Sequence, residues 1–217
     1  MNAEPEKTKP TLRGVPDLVA VCVAIPAIAI MLLSTGGGLE TLSAAAFGLG
    51  LILMLGMSAI YHLPTWGPRW FNVTRRLDHA AIFLLMAGSY APFCLCTDLP
   101  RGHQILAAVC MVSFLGVLRC LFWPDAARGV RAVLYVLLGL AMLPNVPALL
   151  QVAGDQVVIL AAVGGALYII GAGIYVAKRP NPFPRHFGHQ EVFHLFVFGG
   201  ATCHYAAVWG LVTVSPA

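Results

Sequence analysis

Seven apolar stretches, each long enough to cross a lipid bilayer, follow one another along this 217-residue chain. A membrane-spanning helix needs about 20 mainly apolar residues, and the stretches cover residues 16–34, 41–62, 78–96, 103–122, 131–150, 156–177 and 190–213. Charged residues make up only 10% of the chain, against about 25% in a soluble domain, which excludes soluble enzymes and disordered proteins. The sequence predicts an all-α integral membrane protein: a mobile tail over residues 1–13, then one seven-helix transmembrane bundle over 14–217.

The positive charges predict how this bundle lies in the membrane. With seven spans, 12 of the 13 Lys and Arg residues fall on one side, and Arg101 falls on the other. The twelve are Lys7, Lys9, Arg13, Arg69, Arg75, Arg76, Arg119, Arg128, Arg131, Lys178, Arg179 and Arg185. Because basic residues stay in the cytoplasm, we expect a cytoplasmic N-terminus and an external C-terminus. The net charge of +4 therefore needs no nucleic-acid partner.

The six cysteines all lie in apolar stretches, and no two of them form a CxxC pair. We expect small buried side chains and no disulfide framework. They are Cys22, Cys94, Cys96, Cys110, Cys120 and Cys203.

Ionisable residues from three distant segments converge at the predicted cytoplasmic face. Ser58 and His62 end the second segment, Asp78 opens the third, and His194 lies near the start of the seventh. Taken alone, Ser58 is explained by a hydrogen bond to a backbone carbonyl and His62 by a position among the lipid headgroups. Asp78 alone is explained as the N-cap of a helix. Together, imidazoles and a carboxylate form the donor set of a catalytic zinc site. Charged groups are costly in a membrane, so they are kept where they pair, bind an ion or do chemistry.

Three stretches carry these residues: SAIYH at 58–62, RRLDHAAIFLLMAGSYAPF at 75–93 and FGHQEVFHLFVFGGATCHYAAV at 187–208. In order and spacing they resemble the hemolysin III branch of the progestin and adiponectin receptor family, over essentially the whole chain after residue 13. The resemblance implies a seven-helix protein of a bacterial inner membrane with Zn²⁺ near the cytoplasmic face. It further implies that His62 and His194 bind the metal, that Asp78 holds its water, and that Ser58 lies beside it.

One position departs from the family pattern, which places an HxxxH pair on the seventh helix. The first histidine of that pair falls on Gln190, and a glutamine carbonyl is a weak zinc ligand. On a regular helix His189 points about 140° away from His194, and Glu191 about 60° away. We expect His189, at the flexible start of the helix, to supply the third ligand, with Glu191 and then Gln190 as alternatives, and a two-histidine site stays possible.

The resemblance also relates the chain to alkaline ceramidases, which are presumed membrane hydrolases. The leading hypothesis is a zinc-dependent hydrolase of membrane lipids with an amide or ester bond, in which Asp78 acts as general base and Ser58 donates to the oxyanion. An alternative is a sensor or regulator of membrane fluidity with structural zinc, and a lesser one is a pore-forming cytolysin. The oligomeric state stays open. His204, roughly 15 Å deeper than His194, is expected to bond a neighbouring helix.

Overall fold

The computed structural model describes residues 10–123, 128–183 and 185–213, and this part of the chain is almost entirely helical. The helices are α1 Val15–Leu33, α2 Gly38–His62, α3 Pro68–Leu95, α4 Gly102–Phe122, α5 Arg128–Leu140, α6 Val146–Ala153, α7 Asp155–Ala177 and α8 His189–Thr213. A 3₁₀ turn, Leu143–Asn145, separates α5 from α6. Outside the helices, the described residues contain one isolated β-bridge, between Phe183 and Phe187.

Seven spans are long and apolar enough to cross a membrane, as predicted. Their outer faces are apolar: Leu33 is 87% exposed and Phe122 is 81% exposed, as expected for side chains that face lipid. The fifth span, Ala132–Ala153, is the exception to the predicted continuous helix. It is broken by the 3₁₀ turn, where Pro144 and Pro147 lack the amide hydrogen that helical bonding needs.

The third helix begins ten residues earlier than predicted. Pro68 occupies its first turn, and Gly67 before it is extended, which is a favourable helix start. The segment 68–77 holds three arginines and an asparagine, so its hydropathy does not reveal the helix. The N-cap role considered for Asp78 is therefore wrong, because Asp78 lies in the helix interior, about three turns from the start.

The bundle brings the first, second, third and eighth helices together. α2 packs between α1 and α3, while α8 packs along α7 and also contacts α1, α2 and α3. The α2–α3 contact is close because a Cβ on Gly88 would lie 2.3 Å from the Ala46 carbonyl oxygen, and small residues allow such an approach. The ends of α1, α2 and α8 consequently meet at what we call the basic end, where Arg13, His62 and Lys178 lie.

The end of the N-terminal tail is docked rather than mobile. Residues 10–14, the N-terminal strap, lie against the loop before α8: the Thr11 and Leu12 amides donate to the Arg185 and His186 carbonyls at 3.1 and 3.3 Å. The Thr11 hydroxyl also bonds His186 Nδ1 at 2.9 Å. The predicted mobility thus does not hold for residues 11–13, and residues 1–9 lie outside the described part of the chain.

All six cysteines are free thiols, as the sequence predicts, but the prediction that all six are buried is wrong. Cys94 and Cys120 are buried, whereas Cys22 and Cys110 are exposed on the outer face of their helices. The bundle is therefore held by packing and hydrogen bonds rather than by disulfide bridges.

Candidate functional site

A cluster of polar side chains occupies the basic end of the bundle, where α1, α2 and α8 meet. Its members come from the strap, the first turn of α1, the last turn of α2 and the first two turns of α8. We call it the polar cluster, and it comprises Arg13, Asp17, His62, Gln190, Glu191 and His194. His62 and His194, which the sequence predicts to lie together, have ring centroids 5.3 Å apart.

Asp17 pairs with His194 and was not identified by the sequence analysis. Asp17 Oδ1 lies 2.5 Å from His194 Nδ1, and Asp17 is only 2% exposed. A carboxylate in the first turn of a helix is favoured by the helix dipole, and a carboxylate on one imidazole nitrogen orients the other nitrogen. The sequence signal was present: Asp17 is the only acidic residue in the first apolar segment.

Gln190 links His62 to Arg13. Its Nε2 lies 2.8 Å from His62 Nε2, and its Oε1 accepts a hydrogen bond from the Arg13 guanidinium at 2.9 Å. Since Gln190 and His194 are four residues apart, both side chains extend from the same face of α8. Gln190, which replaces the histidine of the family pattern, therefore contacts His62 as a hydrogen-bond donor.

Glu191 points to a different set of partners. Its Oε1 accepts from Arg13 Nε at 2.5 Å, and its Oε2 accepts from the Gly188 amide at 2.7 Å. Glu191 is 2% exposed, so the ion pair with Arg13 is buried on the carboxylate side. Both carboxylate oxygens are used to fix the strap and the start of α8.

A cavity of about 870 Å³ extends from the polar cluster between the helices of the bundle. Its polar end includes most of the predicted site residues, and its remaining walls are mainly apolar side chains from α2, α3, α5, α7 and α8. The predicted residues that line it are Ser58, His62, Asp78, His189, Gln190 and His194. The structure thus brings Ser58 and Asp78 to the same cavity as the two histidines.

His204 also lines this cavity, farther along α8. Its imidazole lies against α7, where a Cβ on Gly164 would lie 2.3 Å from His204 Cδ2, and its ring is tilted against the Tyr168 ring with centroids 5.4 Å apart. His204 thus packs against the neighbouring helix α7, and the predicted hydrogen bond to that helix stays a prediction. His204 Nε2 is buried without a hydrogen-bond partner in the described part of the chain.

The arrangement does not fit a catalytic zinc site. No three His, Cys, Asp or Glu side chains within residues 10–123, 128–183 and 185–213 group closely enough to hold a metal ion. Such a site takes three protein ligands. Here Gln190 occupies the family position, and the Glu191 carboxylate is bonded elsewhere. His189 lines the cavity while its amide bonds Asn181 Oδ1. Zinc binding and the identity of a third ligand stay predictions.

The fold and the site define a class: a multi-pass helical membrane protein with a largely buried polar cluster at one end of a cavity between its helices. The sequence profile described as "Haemolysin-III related" matches residues 6–205, and the chain belongs to this family. Hemolysin-3 of Bacillus cereus is 26% identical over 194 residues, covering 88% of this chain and 85% of the relative. The Hemolysin-3 homolog of Bacillus subtilis (strain 168) is also 26% identical, covering 88% of both chains. The adiponectin receptor protein of Drosophila melanogaster is 27% identical over 187 residues, covering 78% of this chain and 42% of the receptor.

Proposed function

We propose that this protein binds a membrane lipid inside the bundle, with the lipid's acyl chain in the cavity and its polar group at the polar cluster. The observation that carries the proposal is the cavity itself, which has a polar end at Ser58, His62, Asp78 and His194 and apolar walls beyond. Its volume of about 870 Å³ falls in the range of small-molecule sites, about 300–1,000 Å³. Binding without turnover corresponds to a regulator of membrane lipid state.

The location of the cavity supports a lipid rather than a water-soluble ligand. The walls belong to helices whose outer faces are apolar, so the surrounding solvent is hydrocarbon. The polar end lies at the basic end of the bundle, where headgroups would lie if that end faces the cytoplasm. The Bacillus relatives support a bacterial plasma membrane as its location.

Filling the cavity should displace the lipid. Gly165 on α7 lines the cavity, and a Cβ at this position meets nothing within 4 Å. The leucine in Gly165→Leu takes the space of at least about two methylene groups, at about 0.8 kcal/mol each, so affinity should fall about tenfold or more. The measurement is binding of a fluorescent or photocrosslinkable acyl lipid to the full chain in nanodiscs, together with mass spectrometry of co-purified lipid.

Gly173→Leu is the matched control for this experiment. Gly173 lies on the same helix, also has nothing within 4 Å of its Cβ position, and is exposed on the outer face. It should bind lipid as the wild type does. Equal binding by wild type and Gly165→Leu, or equal loss in the two variants, contradicts the proposal.

Hydrolysis of the bound lipid is a second candidate, favoured by the Asp17–His194 pair. A base whose second nitrogen is held by a carboxylate is the arrangement of many hydrolytic sites. His194 would take the proton of a water that attacks the lipid amide or ester carbonyl, and would pass it to the leaving amine or alcohol. Asp78 and Ser58, which line the same cavity, would orient the water and donate to the carbonyl oxygen.

Activity of proteoliposomes on a panel of ceramides and glycerolipids tests this second candidate. Removing a general base costs roughly 10²–10⁴ in rate, so His194→Ala should lose at least about a hundredfold and Asp17→Asn should also fall sharply. Asp155→Asn, an exposed helix-start residue at the opposite end, should keep the wild-type rate. Unchanged hydrolysis in His194→Ala, or none by the wild type on any lipid, refutes catalysis without touching the binding proposal.

A further inference from the structure

Gln190 is held in one orientation by two neighbours of different chemistry. The Arg13 guanidinium is purely a hydrogen-bond donor, so it fixes the Gln190 oxygen on its own side. The Gln190 NH₂ group must then face His62, where it lies 2.8 Å from Nε2. A flipped amide would place NH₂ against the guanidinium, donor against donor. The geometry therefore assigns His62 Nε2 as the acceptor of an amide hydrogen.

This hydrogen bond occupies the atom that a metal would need. Zinc binds the lone pair of a neutral imidazole nitrogen, and at His62 Nε2 that lone pair accepts from Gln190. For His62 to bind a metal, its hydrogen bond from the Gln190 amide would have to break, and Gln190 would also have to rotate away from Arg13. After that rotation, the only ligand that Gln190 could offer the metal is its carbonyl oxygen, which is a weak one.

Arg13 is itself fixed, so Gln190 cannot rotate freely. The guanidinium bonds Glu191 at 2.5 Å in addition to Gln190. The strap that carries it is tied to the loop before α8 by the Thr11 and Leu12 amides. The Arg13 guanidinium is thus fixed close to His62, with only the Gln190 amide between them. Its positive charge opposes the approach of a metal cation, although the Glu191 carboxylate offsets part of that charge.

We propose that Arg13 and Gln190 form a metal-excluding bridge, so that this chain holds no zinc at His62 and His194, and that a histidine at position 190 is sufficient to create the site. Residues 190 and 194 lie four apart on one helix face, which is the spacing at which two histidines share a zinc ion. His194 Nδ1 is already held by Asp17, the type of contact that orients metal-bound histidines. This inference is independent of lipid binding.

Zinc analysis of the purified full-length protein tests the bridge. Wild type, Gln190→His, Gln190→Leu and Gln190→His with His62→Ala are incubated with excess zinc, desalted and measured by mass spectrometry of the metal. We expect well below one zinc per chain in the wild type and about one in Gln190→His. His62→Ala should return the Gln190→His protein to the wild-type level. Gln190→Leu, which removes the amide without offering a ligand, should stay at that level too.

A second readout covers the case in which a variant is unstable. Zinc should raise the melting temperature of Gln190→His and leave that of the wild type unchanged, because binding to the folded state stabilises it. The ¹⁵N resonance of His62 Nε2 should differ between the wild type and Gln190→Leu. A chelator added to the wild type should leave this resonance unchanged. Stoichiometric zinc in the wild type that is lost in His62→Ala overturns the proposal, and so does a well-folded Gln190→His protein that gains none.

Discussion

Gly14 shows how one residue positions the polar cluster. Its φ of 83° lies in the left-handed region, and a Cβ there would lie 2.8 Å from the Leu63 amide nitrogen and 2.9 Å from the His62 carbonyl carbon. Only glycine satisfies both conditions. The close contact between the strap and the end of α2 places Arg13 and Asp17 on either side of it, next to the histidines.

Gly14→Ala should therefore destabilise the protein strongly. The positive φ costs about 1–2 kcal/mol for alanine, and the backbone contact adds about 1–3 kcal/mol. Gly38→Ala is the control, because Gly38 also has a positive φ, 57°, but meets only the end of the Glu40 side chain, 3.8 Å from its Cβ position. Thermal unfolding in detergent should show a clearly larger drop in melting temperature for Gly14→Ala. Equal drops would mean that the approach to α2 contributes nothing.

The residues of the polar cluster differ in how far the sequence predicts them. His62, Gln190 and His194 could be placed together, since they end or begin apolar segments that meet on one side of the membrane. Asp17 could not be paired with His194, because 177 residues separate them and only the packing of α1 against α8 brings them together. Glu191 likewise pairs with Arg13, rather than being available to a metal, because the strap places Arg13 beside it. The hydropathy pattern of the sequence does not predict the position of the strap.

At the scale of helices, the length of the apolar stretches predicts the membrane spans but not the polar residues that extend or line them. Five of the seven predicted stretches begin and end within a few residues of a helix, the fifth is divided between α5 and α6, and α3 starts at Pro68 instead of 78. Its first turns hold three arginines and an asparagine, which lower their hydropathy, so only the Gly67–Pro68 pair signals the helix start in the sequence. Because α3 starts earlier than predicted, Asp78 is not a helix cap but a side chain in the helix interior that lines the cavity. The break between α5 and α6, by contrast, follows directly from two prolines.

At the scale of the molecule, polarity is strongly one-sided. The polar cluster and the strap lie at the basic end, and the cavity extends from there into the apolar interior. A lipid headgroup can be bound at this end only if the end lies at a membrane surface. Orientation of the bundle therefore decides which leaflet supplies the ligand, and the distribution of 12 of 13 basic residues predicts the inner one.

Cysteine labelling in intact cells tests this orientation. Thr65 lies in the α2–α3 loop at the basic end, and Ser34 follows α1 at the opposite end; both are exposed. A membrane-impermeant maleimide should modify Ser34→Cys in intact cells, and Thr65→Cys only after permeabilisation. The wild type sets the background, because its six thiols lie in or beside apolar spans, where the reactive thiolate is disfavoured. The reverse pattern would place the polar cluster at the outer leaflet, and a lipid of that leaflet would then have to be its ligand.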